Sequence, residues 1–366
     1  MNRVLIHDEN KELNNKKAII ALIIPLTILC KFFQFTVLPE KYFYDSYRML
    51  YMSIEDNSIY AWGGSYEIVA DLFKKINILN FNTLQDWAYS LAFIFIAIII
   101  FMLSRFKKFD ISQCVFIICS IGLLNIYVFN ISKDIVQYGF FCIMYIIIIQ
   151  KKLPSLLKII LCFAVFYWES SFFRSYYILM GIFFIILYLI ITTIKRKNIK
   201  INKLGVLKII LIIFASVYLL LYMSQYISPD DYDKVINIRE VNLNEMAVSQ
   251  IENWVTPNGT LNIFMINYII NAIRMMIPIE LLFKGIFYAP FVFYQIFILY
   301  YMISTIKYIG KKDSSTLIAF CAFCGFLLGS FVFEPDFGSF VRHESAAFPL
   351  FHLIALNENI PEEGDK

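Results

Sequence analysis

The sequence predicts an all-α, polytopic membrane helix bundle of about ten transmembrane helices, and three observations predict it. Apolar side chains make up 60% of the 366 residues and charged ones 16%, against about 45–50% and about 25% in soluble domains. The apolar residues come in runs close to the ~20 residues that cross a bilayer. The charges collect in the short stretches between those runs. This composition excludes a soluble globular domain, a disordered chain, a collagen-like repeat and a coiled coil.

The runs place spans at 18–38, 87–105, 111–130, 135–150, 155–170, 175–194, 207–227, 285–306, 314–333 and 345–357. The fifth and tenth are short and fit a tilted or re-entrant segment. The first exceeds a signal-peptide core and is flanked by Lys16 and Lys17, so it reads as a retained signal anchor. Nineteen Lys and Arg fall on one set of alternate ends: the N-terminal tail, 105–108, 151–158, 195–208 and 307–312. Eleven fall on the other set. The positive-inside rule then makes the N-terminus cytoplasmic. The chain reads as a single integral membrane domain over 1–366. Its long polar segments, 39–86 and 228–284, face outward, the second with a partly membrane-embedded helix. The basic loops are short and carry no P-loop or dinucleotide fingerprint, so chemistry is expected outside, without ATP or a nucleotide sugar as direct donor. No cofactor and no nucleic-acid partner are expected.

In 39–86 the stretch Tyr42, Tyr44, Asp45, Tyr47, Arg48 and Tyr51 is an interfacial aromatic belt or a place where Asp45 and Arg48 hold a polar substrate against aromatic rings. After Gly63-Gly64 a helix is expected with Tyr66, Val69, Phe73 and Ile76 on one apolar face, lying on the membrane surface. Ser132-Lys133-Asp134 opens the fourth span, where Asp134 suits the helix dipole. Glu169 and Arg174 are separated by almost no loop; they form an ion pair or line a cleft that needs a cation. Asn267, Asn271 and Arg274, at i, i+4 and i+7, make one polar stripe on an apolar helix, with Arg274 favoured as a ligand for an anionic group. The segment Glu334 to Glu344 packs Glu334, Asp336, Arg342, His343 and Glu344 between two apolar runs, with His343 a candidate neutral base beside Arg342. Lys31 is the clearest mid-span charge and is expected to snorkel. The seven cysteines lie in apolar runs and read as buried hydrophobes; Cys321 and Cys324 lack partners for a metal set.

Four patches carry a resemblance: Tyr44-Asp45-Ser46-Tyr47, Ser132-Lys133-Asp134-Ile135, Phe173-Arg174-Ser175-Tyr176-Tyr177, and the run from Glu334 through Asp336 to Arg342-His343 with Pro349 after it. Together with ten-odd spans and a long outer segment in the second half, they make the chain resemble bacterial Wzy-type polysaccharide polymerases, including the EpsG-like branch. The topology covers nearly the whole chain and the residue match only these patches. The outer segment is modest beside that of O-antigen polymerases, which leaves the branch open.

The resemblance implies a C-type glycosyltransferase-like membrane fold in the bacterial cytoplasmic membrane and a metal-independent transfer. A growing glycan would move from one undecaprenyl-diphosphate carrier to the non-reducing end of a repeat unit on another, building O-antigen, capsule or exopolysaccharide. A chain-length-regulating membrane protein is a further implied partner. Guanidinium groups would receive the leaving diphosphate through paired hydrogen bonds: Arg174, Arg274 and Arg342, then Arg48 and Lys133. The acceptor hydroxyl needs a base, for which Glu334, Asp336, His343, Asp45 and Glu169 are candidates. Asn267 and Asn271 join the substrate-binding set. The rival readings are a ligase using the same donor, a flippase or transporter, and a membrane O-acyltransferase.

Overall fold

The computed structural model describes residues 2–55, 61–197, 201–242 and 249–356. Among them eight helices are long and apolar enough to cross a membrane. They lie on α1 (Asn2–Thr36), α4 (Leu84–Ser104), α5 (Ile111–Leu123, continued by a π turn over Leu124–Val128), α7 (Ser155–Phe172), α8 (Tyr177–Arg196), α9 (Lys203–Ile227), α12 (Ala289–Lys307) and α13 (Ser314–Phe333). The shorter helices are α2 (Tyr44–Ile54), α3 (Ser65–Ile76), α6 (Lys133–Ile149), α10 (Pro229–Asn242), α11 (Leu261–Met276), α14 (Phe337–Ala346) and α15 (Phe348–Ala355). The chain is a polytopic helical membrane protein, and the expected ten spans become eight by length and apolarity. The fourth expected span is α6, whose 17 residues reach about 26 Å at about 1.5 Å per residue, short of the ~30 Å hydrocarbon layer. The tenth falls on α15, only 8 residues long.

Local chemistry explains where helices begin. Thr83 accepts from Asp86 N at the start of α4, Asn202 from Gly205 N at α9, and Asp313 from Thr316 N at α13. Asp110 and Gln113 form a reciprocal capping box on α5. Each such cap satisfies an amide that the helix itself cannot. Lys158 does the converse at a C-terminal end, its Nζ donating to Ile148 O at 2.6 Å near the end of α6; Lys195 Nζ donates to Lys312 O in the link before α13.

The chain divides into two compact units. The first holds 1–142, 172–174 and 345–357. Its α1 packs on α4 and α5, and α2 on α3. The short α15 lies against α5, with Phe116 beside Phe348, Phe351 and His352, and Gln113 Nε2 donates to Ala355 O at 3.0 Å. The amphipathic α3 forms as expected and buries Val69, Ala70 and Phe73.

The second unit holds 143–171 and 175–344. Its axis is α13, buried at every residue from Thr316 to Phe333. Gly325 and Gly329 let α8 approach: a Cβ at 325 would stand 2.7 Å from Phe184 N and 2.8 Å from Met180 O. This is the small-xxx-small contact by which membrane helices pack without a hydrophobic driving force. Against the outer half of α13 lies α11, whose Tyr268 hydroxyl donates to Leu328 O at 2.9 Å.

Candidate functional site

In the second unit a polar cluster surrounds the C-terminal end of α13. Glu334 ends that helix, and a one-turn link leads into α14, which carries Arg342, His343 and Glu344. His343 Nδ1 stands 2.6 Å from Glu334 Oε1, with both side chains buried. The partner that matters to His343 is therefore nine residues back, not the adjacent Arg342. A carboxylate at Nδ1 orients the ring and fixes its tautomer. Arg342 is half-buried one position before it. Asp336 acts structurally, accepting from Ser339 N at 2.9 Å and from Ser339 Oγ at 2.8 Å, and so caps α14. Its backbone bridges Gln250, and Ile251 N donates to Pro335 O at 3.0 Å, which draws the 249–251 strand-like segment onto the same corner.

The stripe on α11 holds that returning segment in place. Asn267 accepts from Val255 N at 3.0 Å and donates to Val255 O at 2.7 Å, an amide-to-backbone pair. Asn271 Nδ2 donates to Asn253 Oδ1 at 2.8 Å. Arg274, expected to receive an anion, is occupied: its Nε and NH2 hold Glu280 at 2.9 and 3.1 Å, and its NH1 donates to Glu252 O at 2.6 Å. The sequence spacing identified the polar face, but the partner Glu280, six residues later and beyond Pro278, gave no periodic signal.

A cation missing from the sequence-derived set stands at the centre of this unit. Arg239, on α10, is 5% exposed. Its contacts with Ile251 O at 3.3 Å and Phe331 O at 3.5 Å are long, and its Nε has no partner among the described residues. Burial, and then the neighbouring charge of Arg274, draw its pKa down to about 10, so it stays charged at neutral pH. It lines a polar pocket with Glu240, Asn253, Asn267 and Asn271. The pocket has about 30 Å³ open to the centres of water-sized spheres, room for about two ordered waters. The sequence clue was the position of Arg239 on a short outward helix directly after a span.

In the first unit the candidate cations rest on aromatic rings. Arg48, on α2, donates to the Tyr44 hydroxyl at 2.6 Å and lies 3.3 Å from the Trp62 ring centre. Trp62 meets Tyr66 edge to face at 4.8 Å, and Lys133 Nζ sits 3.5 Å above the Tyr66 ring. Arg48 and Lys133, 85 positions apart, thus belong to one cation–aromatic ladder. Asp45 is half-buried on α2, and Asp134 is buried in the first turn of α6. The Arg174 guanidinium lies 5.3 Å from the Phe173 ring centre. Glu169, which belongs to the second unit, is fully buried near the end of α7.

Lys31 does not snorkel. It is 0% exposed, and its Nζ donates to Asn125 O at 2.5 Å, Phe129 O at 2.6 Å, Gln34 Oε1 at 3.0 Å and Asn130 Oδ1 at 3.2 Å. The π turn supplies the Asn125 carbonyl, and the Phe129 carbonyl comes from the residue that caps it. Among the described residues no three His, Cys, Asp or Glu side chains gather as a metal site would need, and all seven cysteines are free. Compared with known protein families, with curated proteins and with solved structures, the chain matches none.

Proposed function

We propose that this chain is a bacterial polymerase of lipid-linked oligosaccharide repeat units, working at the outer face of the cytoplasmic membrane. The observation that carries the reading is the Glu334–His343 pair at 2.6 Å beside a polar pocket that contains a buried, underbonded Arg239. A glycosyl transfer from a diphosphate carrier needs a base for the acceptor hydroxyl and fixed cations for the leaving group. In the proposed step His343 Nε2 takes the hydroxyl proton. The acceptor oxygen bonds to the anomeric carbon while the carbon–oxygen bond to the diphosphate breaks, its electron pair leaving with the phosphate. Glu334 supports the imidazolium that forms. Asn253, Asn267, Asn271 and Glu240 line the pocket with planar amide and carboxylate groups of the kind that suit sugar hydroxyls, bonded here to one another and to Val255. At about 30 Å³ the pocket must widen, with exchange of those bonds, to take a sugar.

The proposed orientation, N-terminus in the cytoplasm, keeps every basic end on one side only if α6 crosses along with the eight longer spans. A short helix does so by local thinning of the bilayer. One observation favours a transporter instead: Lys31 and Glu169, each on a helix long and apolar enough to span, are fully buried, and intramembrane ionisable groups mark ion pathways in pumps.

The test is gene deletion followed by electrophoresis of surface glycan, complemented with wild type, H343A, R174A, R274A and R342A at matched expression. The polymerase reading expects carrier or core capped with single repeat units, restored by wild type and not by H343A. R274A, whose charge is already held by Glu280, is expected to restore chain length in part. Loss of all surface glycan, single units included, would support the transporter.

A further inference from the structure

The polar pocket has an apolar counterpart in the second unit. A groove of about 220 Å³ lies between α9, α11, α12 and α13, lined only by Ile, Phe, Ala, Met, Leu and Cys. It exceeds the ~150 Å³ apolar cavity that admits benzene. Ile273 and Ile303 on its lining are 56% and 40% exposed, so the groove opens laterally.

Its position relative to the polar pocket follows from α13. The groove takes Phe320, Cys324, Leu327, Leu328 and Phe331 from that helix, and the polar pocket takes Phe331 and Val332. Eleven residues separate Phe320 from Phe331, about 17 Å of helix at about 1.5 Å each. An apolar channel thus runs down the middle of a span and ends at the residue whose carbonyl Arg239 contacts. The two sides of α11 divide the same way: Asn267 and Asn271 line the pocket, and Ala272, Ile273 and Met276 line the groove.

Apolar length, then a buried cation with an unengaged donor, then amides and a carboxylate is the order of a lipid tail, a phosphate and a sugar. We infer that groove and pocket form one binding site for the polyprenyl carrier, its chain in the groove and its phosphate at Arg239. Arg274 lies close enough to be felt by Arg239 but is committed to Glu280, so Arg239 is the cation of this site. The inference rests on the polymerase reading for the identity of the lipid, and on the geometry of groove and pocket for the site.

The experiment uses the full-length protein in lipid nanodiscs and a diazirine-bearing polyprenyl phosphate as photoprobe. Labelled peptides from α9, α11, α12 and α13 are expected, displaced by undecaprenyl diphosphate and not by equal phosphatidylglycerol. Ile303→Trp, at the exposed rim where folding is spared, should cut labelling about tenfold. Arg239→Gln should require about tenfold more undecaprenyl diphosphate for displacement. Equal displacement by phosphatidylglycerol would make the groove a place for ordinary bilayer lipid and overturn the inference, as would undiminished labelling of Ile303→Trp. Labelling as expected, with normal glycan chain length in the deletion strain, would sink the polymerase reading and leave the lipid site. Lost chain length with the labelling absent would do the reverse.

Discussion

The arginines singled out in the two units are held by different means. In the first, Arg48 is flanked by Tyr44 and Trp62, and no carboxylate among the described residues bonds it. In the second, Arg274 is gripped by both oxygens of Glu280. An aromatic face attracts a cation without cancelling its charge, whereas a two-pronged carboxylate consumes both charge and donors. The charge of Arg48 is therefore not cancelled by its ring contacts. Arg274 has become a fastener for the 249–256 segment. The sequence sets Arg274, with Arg174 and Arg342, ahead of Arg48 and Lys133 as ligands for an anion; the two cations differ in how their charge is engaged.

The sharpest way to break this contrast is at Lys31, the first unit's extreme case of a cation held by neutral groups. Its ammonium bonds the Asn125 carbonyl of the π turn and the Phe129 carbonyl just after it, together with Gln34 and Asn130. Lys31→Met removes these donors and strands the two carbonyls and Gln34 Oε1, for a loss of about 3–5 kcal/mol at about 1–3 kcal/mol per stranded buried acceptor. Fluorescence-detected size exclusion after heating should show the shift, and Lys31→Arg should recover part of it. An unshifted melting curve would mean the cage is not a structural tie.

Next in size comes Glu344, a second-unit carboxylate partnered by an amide and no cation. Burial pushes its carboxyl well above the usual 4.5, while the hydrogen bond from Gln295 Nε2 pulls the other way. Glu344 Oε1 and Gln295 Oε1 both lack partners among the described residues, and a proton on the acid gives this pair one more donor. The sign follows from linkage: the folded state holds the proton more tightly than the unfolded state. The stability it contributes is complete below pH 4.5 and is lost as pH rises toward the folded value. Glu344→Gln should remove that slope and raise stability at pH 7.5 by about 1–3 kcal/mol. Melting curves across pH 4–8 would read this, and identical slopes for both proteins would refute it.

A double-mutant cycle measures the fastener itself. Arg274→Ala, Glu280→Ala and the double variant should return a coupling of about 1–2 kcal/mol, above the usual exposed pair because the geometry is two-pronged, and below a buried one because Glu280 is partly exposed. A coupling near zero would return Arg274 to the set of ligands for an anion.

How much of this was legible in the sequence depends on the range of the interaction. Eight of the ten expected spans, α3 and the polar face of α11 follow from local periodicity and appear close to their expected positions. The close approach of α8 and α13 was written in Gly325-x-x-x-Gly329, a signal within four residues that hydropathy runs alone do not register. Arg274 with Glu280, Arg48 with Trp62 and Lys31 with Phe129 are different. Each depends on a turn or on a second helix 6, 14 or 98 positions away, and no spacing rule encodes such a partner. Lys158 and Lys195 were read as markers of the cytoplasmic side and prove also to bond backbone carbonyls. A basic residue near a helix end therefore carries two meanings, and the orientation count weighs only one of them.

The smallest expected effect tests the first unit's side of the contrast. Trp62 is 45% exposed, so its contact with Arg48 is worth about 0.5–1 kcal/mol to folding. Trp62→Leu should then scarcely move the melting temperature, and that smallness makes the variant informative. If Arg48 receives diphosphate, removing the ring leaves the guanidinium charged but free to turn. Chain elongation should fall severalfold while folding is spared. Trp62→Phe, which keeps a ring in place, should restore most of it. Arg48→Lys should not, because an ammonium lacks the planar fork that a phosphate's oxygens match. Elongation unchanged in both Trp62→Leu and Arg48→Lys would mean that the ladder only anchors α2, and would leave the binding of diphosphate to the cations of the second unit.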